Sequence, residues 1–250
     1  MVFRAHCGRI AIRACVCFLV LLLIPLATFP QEREILFRED FKGLENWRPF
    51  YFPKIEKHTA YTTESHQGIT FLRAQSQASA SALVFKQSFN VYDYSRVTWR
   101  WKAETVYKKG NAKSKSGDDY PIRVYIVFAF DPQAVGFLER MKYKAAKLLY
   151  GEYPPHSSLN YIWANRKHPE RVITSTYSER AKMIPLQMGG TRLGTWQTED
   201  VHIVDDYRKA FRADPPPIAS IAVMNDSDNT GEHSVSYMDY IEVYRLHSTE

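Results

Sequence analysis

The chain has 250 residues, 24% of them charged and 45% hydrophobic, with a formal net charge of +6. That composition excludes a disordered or fibrous protein and suits one main globular domain. Half of the excess charge comes from Arg4, Arg9 and Arg13, and the chain after residue 30 carries 30 basic against 27 acidic side chains. So small a surplus argues against a phosphate-reading surface, and no nucleic-acid partner is expected.

The first element is ACVCFLVLLLIPLATF (14–29), preceded by the three arginines and by no acid. A basic stretch leading into an apolar run shorter than about 20 residues has the form of a secretory leader. No A-x-A pattern follows it, and Pro25 and Pro30 disturb the obvious cut sites, so an uncleaved N-terminal anchor is the alternative. Residues 1–30 are therefore expected to be a signal peptide or anchor, and residues 31–250 a single exported domain. That domain would be periplasmic or held on the outward side of the inner membrane, touching lipid only through the N-terminal segment. Cys7, Cys15 and Cys17 all lie in the leader. The body is expected to fold without disulfides and to have no thiolate chemistry.

Strand signals then dominate. ILFREDF (35–41), ITFLRAQ (69–75), ASALVFKQSF (80–89), SRVTWRWKAE (95–104), IRVYIVFAF (122–130), SLNYIWA (158–164), WQTEDVHIV (196–204), IASIAVMN (218–225) and HSVSYMDYIEVYR (233–245) are β-branched and aromatic, with turn-forming residues between them. Alternation puts Val97, Trp99, Trp101 and Ala103 on one face of their strand and Arg100 and Lys102 on the other. It likewise separates Ile122, Val124, Ile126 and Phe128 from Arg123 and Tyr125. The expected fold is all-β, a jelly-roll-like antiparallel β-sandwich with one inserted amphipathic helix.

That helix is predicted over 132–151, where Val135, Leu138, Met141, Ala145, Leu148 and Leu149 recur at helical spacing among lysines. Its expected place is packed on the sandwich with the lysines in solvent; the alternative is a basic amphipathic segment touching anionic lipid or polysaccharide. A shorter helix is expected over 205–211, capped by Asp205. KKGNAKSKSGDDYP (108–121) has no periodicity and is expected to be a long mobile crossing.

Three constellations could carry chemistry. In NDSDNTG (225–231), Asp226, Asp228 and Thr230 alternate as calcium ligands do, with Gly231 sixth, but position twelve is Tyr237 and strands flank the loop, so it is not an EF-hand. A self-bonded polar turn, a calcium site and a ligand contact all stay open. Asp118 and Asp119 adjoin Arg123; neighbours on an extended chain point apart, so pairing with Arg123, Arg100 or Lys102 is expected rather than a catalytic dyad. Tyr125, beside Arg123, is the expected surface aromatic, and Asn160 lies on the face of its strand opposite Leu159, Tyr161 and Trp163; a ring and a polar neighbour suit a sugar's apolar face and hydroxyls. No G-x-S-x-G or H-E-x-x-H occurs.

The opening FREDFKGLENW and the closing YMDYIEVYR resemble jelly-roll carbohydrate-binding modules at Glu39, Asp40, Phe41, Trp47, Asp239, Ile241 and Val243. More specifically, VTWRWK, GDDYPIRVYIVF, LNYIWA, DDYRKAF and IAVMNDSDNTG are similar to hallmark segments of an exported bacterial family that is catalogued as a domain of unknown function. The resemblance implies a fold but no activity. The leading expectation is a non-catalytic binding domain for a glycan or another cell-envelope component, using a face that carries Arg100, Lys102, Asp118, Asp119, Arg123, Tyr125 and Asn160. One alternative is a polysaccharide lyase or glycoside hydrolase on the same face, built on Arg100, Arg123, Tyr125 and His202. The other is a structural envelope partner. No cofactor is expected unless calcium occupies the Asp226 loop.

Overall fold

The computed structural model describes residues 1, 2, 32–150 and 153–247. The expected leader, apart from its first two residues, and residue 151 of the expected helix lie outside the described residues.

Thirteen strands among the described residues form two sheets. The six-stranded sheet contains β1 (Arg33–Glu39), β3 (Ala60–His66), β4 (Ile69–Gln77), β6 (Arg96–Ala103), β11 (Gln197–His202) and β13 (His233–Leu246). The long β13 is its spine, pairing β6 along one edge and β4 then β1 along the other, all antiparallel. The seven-stranded sheet runs β2 (Trp47–Phe50), β5 (Ala80–Asn90), β12 (Ile218–Asp226), β7 (Arg123–Phe128), β8 (Ser157–Ala164), β10 (Ala181–Met188) and β9 (Ile173–Thr174). All nine strands expected from alternation are present. One pair departs from the antiparallel scheme, because β10 lies parallel to β8.

The inner faces of the two sheets interdigitate. Val97, Trp99 and Trp101 of β6 meet Val124, Ile126 and Phe128 of β7 and Leu159, Tyr161 and Trp163 of β8, all fully buried in one cluster. Trp99 lies 5.3 Å from Tyr161 and Trp101 lies 6.0 Å from Trp163 between ring centres, so the aromatic pairs bridge the sheets. Full burial of such side chains stabilises by about 1.5–3 kcal/mol each before entropy is counted. Strands β6, β7 and β8 therefore turn the residues between these outward, which decides where a site can form.

Three local expectations change. The crossing over 108–121 is pinned rather than mobile: the Glu232 carboxylate accepts the backbone N–H groups of Lys108 and Lys109, and the Asn165 side chain joins Tyr107 to Asp119. Gly117 is needed there, since a Cβ would sit 2.6 Å from the backbone nitrogen of Asn111. The second helix, α2 (Ile203–Phe211), begins two residues early; the His202 Nδ1 accepts the Asp205 N–H as its cap. The inserted helix, α1 (Phe137–Tyr150), begins five residues later than expected and does not turn its apolar stripe inward: Leu138, Met141 and Leu148 are exposed.

Candidate functional site

The outer face of the seven-stranded sheet holds the site. On β7 the inward set Val124, Ile126 and Phe128 forces Arg123, Tyr125 and Val127 outward. Tyr125 faces Asn160 of β8 directly and Ala222 of β12 on its other side, while Arg123 faces Met224. Small residues pave this floor: Ala82, Ala222, Ser220 and Ser158 leave room that longer side chains would fill. Two cavities of about 520 and 560 Å³ lie on it, sharing Phe52, Tyr125, Ser158 and Met224 as lining, so they form one groove. Phe50, Phe52 and Ile55 wall one side, and Tyr177, Ser178 and Met183 stand at the other.

Carboxylates crowd one end of the groove. Asp226 ends β12 and forms a buried ion pair with Arg123, its other oxygen accepting the Tyr120 N–H at 3.2 Å. The Tyr120 hydroxyl donates to Asp118 at 2.9 Å. Asp119 turns away from the groove and accepts the N–H groups of Asn229 and Thr230 at 3.3 and 2.6 Å, which fixes the 225–231 loop. Asp228 accepts from the Asn229 side-chain amide at 2.8 Å, and the Tyr177 hydroxyl donates to the Asn229 side-chain Oδ1 at 2.8 Å. Gly231 has φ +71°, the left-handed region glycine favours, and closes the turn.

Asp118, Asp226 and Asp228 thus share one cavity with the Arg123 guanidinium, and their titration reflects it. Burial raises Asp118, Asp226 and Asp228 above the usual carboxylate range, and for Asp226 burial together with three like charges outweighs Arg123. Burial works against the Arg123 charge too, but Asp226 overcomes it and keeps the guanidinium protonated. Burial also raises the Tyr125 hydroxyl, despite Arg123 nearby. Tyr125 is therefore poorly suited to act as a base.

Two polar atoms on the groove floor have no partner. Arg123 is 6% exposed and its Nε–H is unbonded; Asn160 is 4% exposed and its Oδ1 accepts nothing. A buried polar atom left unpaired costs about 1–3 kcal/mol, so both point to a group that would complete them.

The expected site residues divide. Asp118, Arg123, Tyr125 and Asn160 line the same cavity as Asp226 and Asp228. Arg100 and Lys102 do not join them, because β6 belongs to the other sheet and the two outer faces of a sandwich point in opposite directions. Arg100 pairs with Asp239 at 3.0 Å and Lys102 with Glu104 at 2.8 Å. His202, capping α2, is also away from the groove's lining. The partner of Arg123 is Asp226, not the neighbouring Asp118 or Asp119. For a cation, Asp119 replaces Thr230: one oxygen each from Asp119, Asp226 and Asp228 lies within 4.8 Å of the others, whereas the Thr230 hydroxyl accepts the Glu232 N–H. Sequence reasoning missed Phe52, Met183, Tyr177 and Met224; only Met224 was legible, from the alternation of β12.

Fold and groove together define a β-sandwich with a cleft across one outer face. The chain belongs to the family described as "Protein of unknown function (DUF3047)", whose profile matches residues 45–242 and so covers every groove residue named above. No curated protein matches it in sequence. Among solved structures, it is similar to the family 11 carbohydrate-binding module of Clostridium thermocellum in complex with a mixed-linked tetrasaccharide, at 12% identity, covering 84% of this chain and 94% of that one, TM-score 0.40. It is similar also to a variant of the Cel12A cellulase of Rhodothermus marinus, at 15% identity over 76% and 88% of the two chains, TM-score 0.41. A lectin from Bauhinia forficata in complex with GalNAc shows 12% identity over 88% and 100%, TM-score 0.40. Likeness at this level carries no information on ligand or reaction, so function rests on the groove itself.

Proposed function

We propose that the protein is a non-catalytic binding domain for a neutral glycan, held in the groove of the seven-stranded sheet. The observation that carries this is the pair of unmet atoms, Arg123 Nε–H and Asn160 Oδ1. They sit on neighbouring strands in diagonal register, roughly 7–8 Å apart at the backbone, and both are closed to solvent, so a ligand completes them as the side chains covering them shift. A hydroxyl accepts from the first and donates to the second, and it serves either orientation of the amide. Sugars carry such hydroxyls in series, and Tyr125, Phe52 and Tyr177 supply flat apolar surfaces for the ring faces. The carboxylates set the sign: with Asp118, Asp226 and Asp228 lining the cavity, an anionic sugar is repelled.

A glycan array probed with the protein, with and without calcium, tests this. Neutral oligosaccharides bound by the parent and lost in Ala222→Trp, which fills the floor, support the reading. Hits confined to anionic glycans, or binding indifferent to Ala222→Trp, overturn it. We read the 225–231 loop as a metal-free turn, supported by the hydrogen bonds its carboxylates already accept; calcium and chelator should then leave the melt unchanged. The leader pattern supports placing the domain outside the cytoplasm.

One observation favours a second reading, glycoside hydrolysis: Asp118 and Asp228 line the same cavity and burial holds both above the usual carboxylate range, as a proton donor requires. Release of reducing ends from a bound oligosaccharide, abolished in Asp228→Asn with binding retained, would establish it; no release leaves the binding function.

A further inference from the structure

Helix α1 turns the wrong face to solvent for a packed helix. Phe137 is 73% exposed, Leu138 77% and Leu148 88%, and Met141 is exposed with them. At 100° per residue Phe137, Met141 and Leu148 fall within about 40° of arc, with Leu138 about 60° further round. The opposite side holds the helix to the body. The Tyr143 ring stacks on Phe130 at 3.5 Å, its hydroxyl accepts from Arg180 at 2.9 Å, and Glu139 pairs with Arg180 at 2.5 Å. The orientation is therefore fixed by contacts, and the apolar stripe is presented outward.

We propose that this stripe docks on a membrane surface containing anionic lipid, adding a second lipid contact to the N-terminal one expected from the sequence. Charge identifies the occupant. By the same helical geometry, Lys144 borders the stripe on one side and Lys142 on the other, with Arg140 and Lys147 beyond Lys144. None of these four has an ion-pair partner among the described residues, while the single acid of the helix, Glu139, is already neutralised by Arg180. An apolar band bordered by free lysines fits the boundary between acyl chains and anionic headgroups. A second copy fits poorly, because a self-complementary contact through this stripe would set lysine against lysine. No described helix is long and apolar enough to cross a membrane, so α1 lies in the interface.

Hydrogen exchange of the full chain in nanodiscs isolates α1 from the N-terminal segment. The amides of 137–150 should exchange roughly tenfold more slowly when phosphatidylglycerol is added to phosphatidylcholine. Lys142→Glu with Lys144→Glu should abolish that difference, and Leu138→Ser with Leu148→Ser should abolish protection in both discs; these exposed substitutions leave the circular dichroism of the sandwich intact. Equal exchange in neutral and anionic discs overturns the proposal. So does protection that grows with protein concentration without lipid, which would assign the stripe to a second copy.

Discussion

The two outer faces of the sandwich obey the same alternation and end in different states. On the six-stranded sheet each outward cation is satisfied: Arg100 by Asp239, Lys102 by Glu104, and both lie over aromatic rings, with Lys102 4.4 Å from the Tyr237 centre and Arg100 5.2 Å from that of Trp196. The long side chains fill their own face and leave a cavity of about 290 Å³. On the seven-stranded sheet the outward alternates around the groove floor are mostly small, and Arg123 among them, though ion-paired, keeps an unbonded Nε–H beside an unbonded amide oxygen. Residue type alone does not distinguish a binding face. Room and unmet hydrogen bonds do.

The contrast breaks first at Asp226. Asp226→Ala strands the Arg123 charge in a buried site and should cost about 3–5 kcal/mol in urea unfolding. A loss below about 1 kcal/mol would mean that Arg123 reaches solvent. Gly231→Val follows, at about 1–2 kcal/mol, because the φ of +71° is strained for any side chain while the space around it is open.

Acidity gives the next test. The native carboxyls of Asp118, Asp226 and Asp228 titrate above their unfolded values, so the folded state binds more protons than the unfolded chain between the two ranges. Their contribution to stability is complete below the unfolded range and is lost as pH rises through the native one. The parent's melting temperature should therefore gain on that of Asp118→Asn as pH falls from neutral into the mildly acidic range, whatever His156 and His168, held low by burial, take from both. Glu34, held low by Tyr94 and Arg245, works in the opposite direction at lower pH. A difference between parent and Asp118→Asn that stays constant from neutral downward would contradict the crowded-carboxylate account.

Smaller effects separate the faces. Asn160→Ala should weaken glycan binding by about 1 kcal/mol, roughly fivefold in calorimetric Kd, with the melt nearly unchanged. Arg100→Ala should change stability by less than about 1 kcal/mol and leave binding alone, since its pair with Asp239 is partly exposed. The reverse pattern would move the site to the six-stranded sheet.

What the sequence revealed follows from what period two can encode. Alternation located the nine regular strands, and it put Trp99 and Trp101 inside and Tyr125 and Asn160 outside. It could not find β3, whose AYTTESH is mostly exposed and so shows no contrast between faces. It also missed β10, where Pro185 sits in a strand; the parallel pairing with β8 shifts register just there, between Pro185 and Gln187. Nor does alternation say which sheet a strand joins, and so Arg100 and Arg123 were expected on one face. The Arg123–Asp226 pair spans 103 residues and becomes visible only through the register that sets Met224 against Arg123. For α1, helical spacing identified Leu138, Met141 and Leu148 as one stripe but placed Val135 in the helix and passed over Phe137, and spacing carries no direction; Tyr143 and Glu139 decided which side met the body.

The most direct test of the groove is a proton–nitrogen correlation experiment that follows the Arg123 Nε–H and the Trp196 indole N–H while a neutral oligosaccharide from the array is titrated in. The account predicts that the Arg123 signal moves saturably and the Trp196 signal stays in place. A Trp196 shift with Arg123 unmoved would contradict it and assign binding to the opposite face.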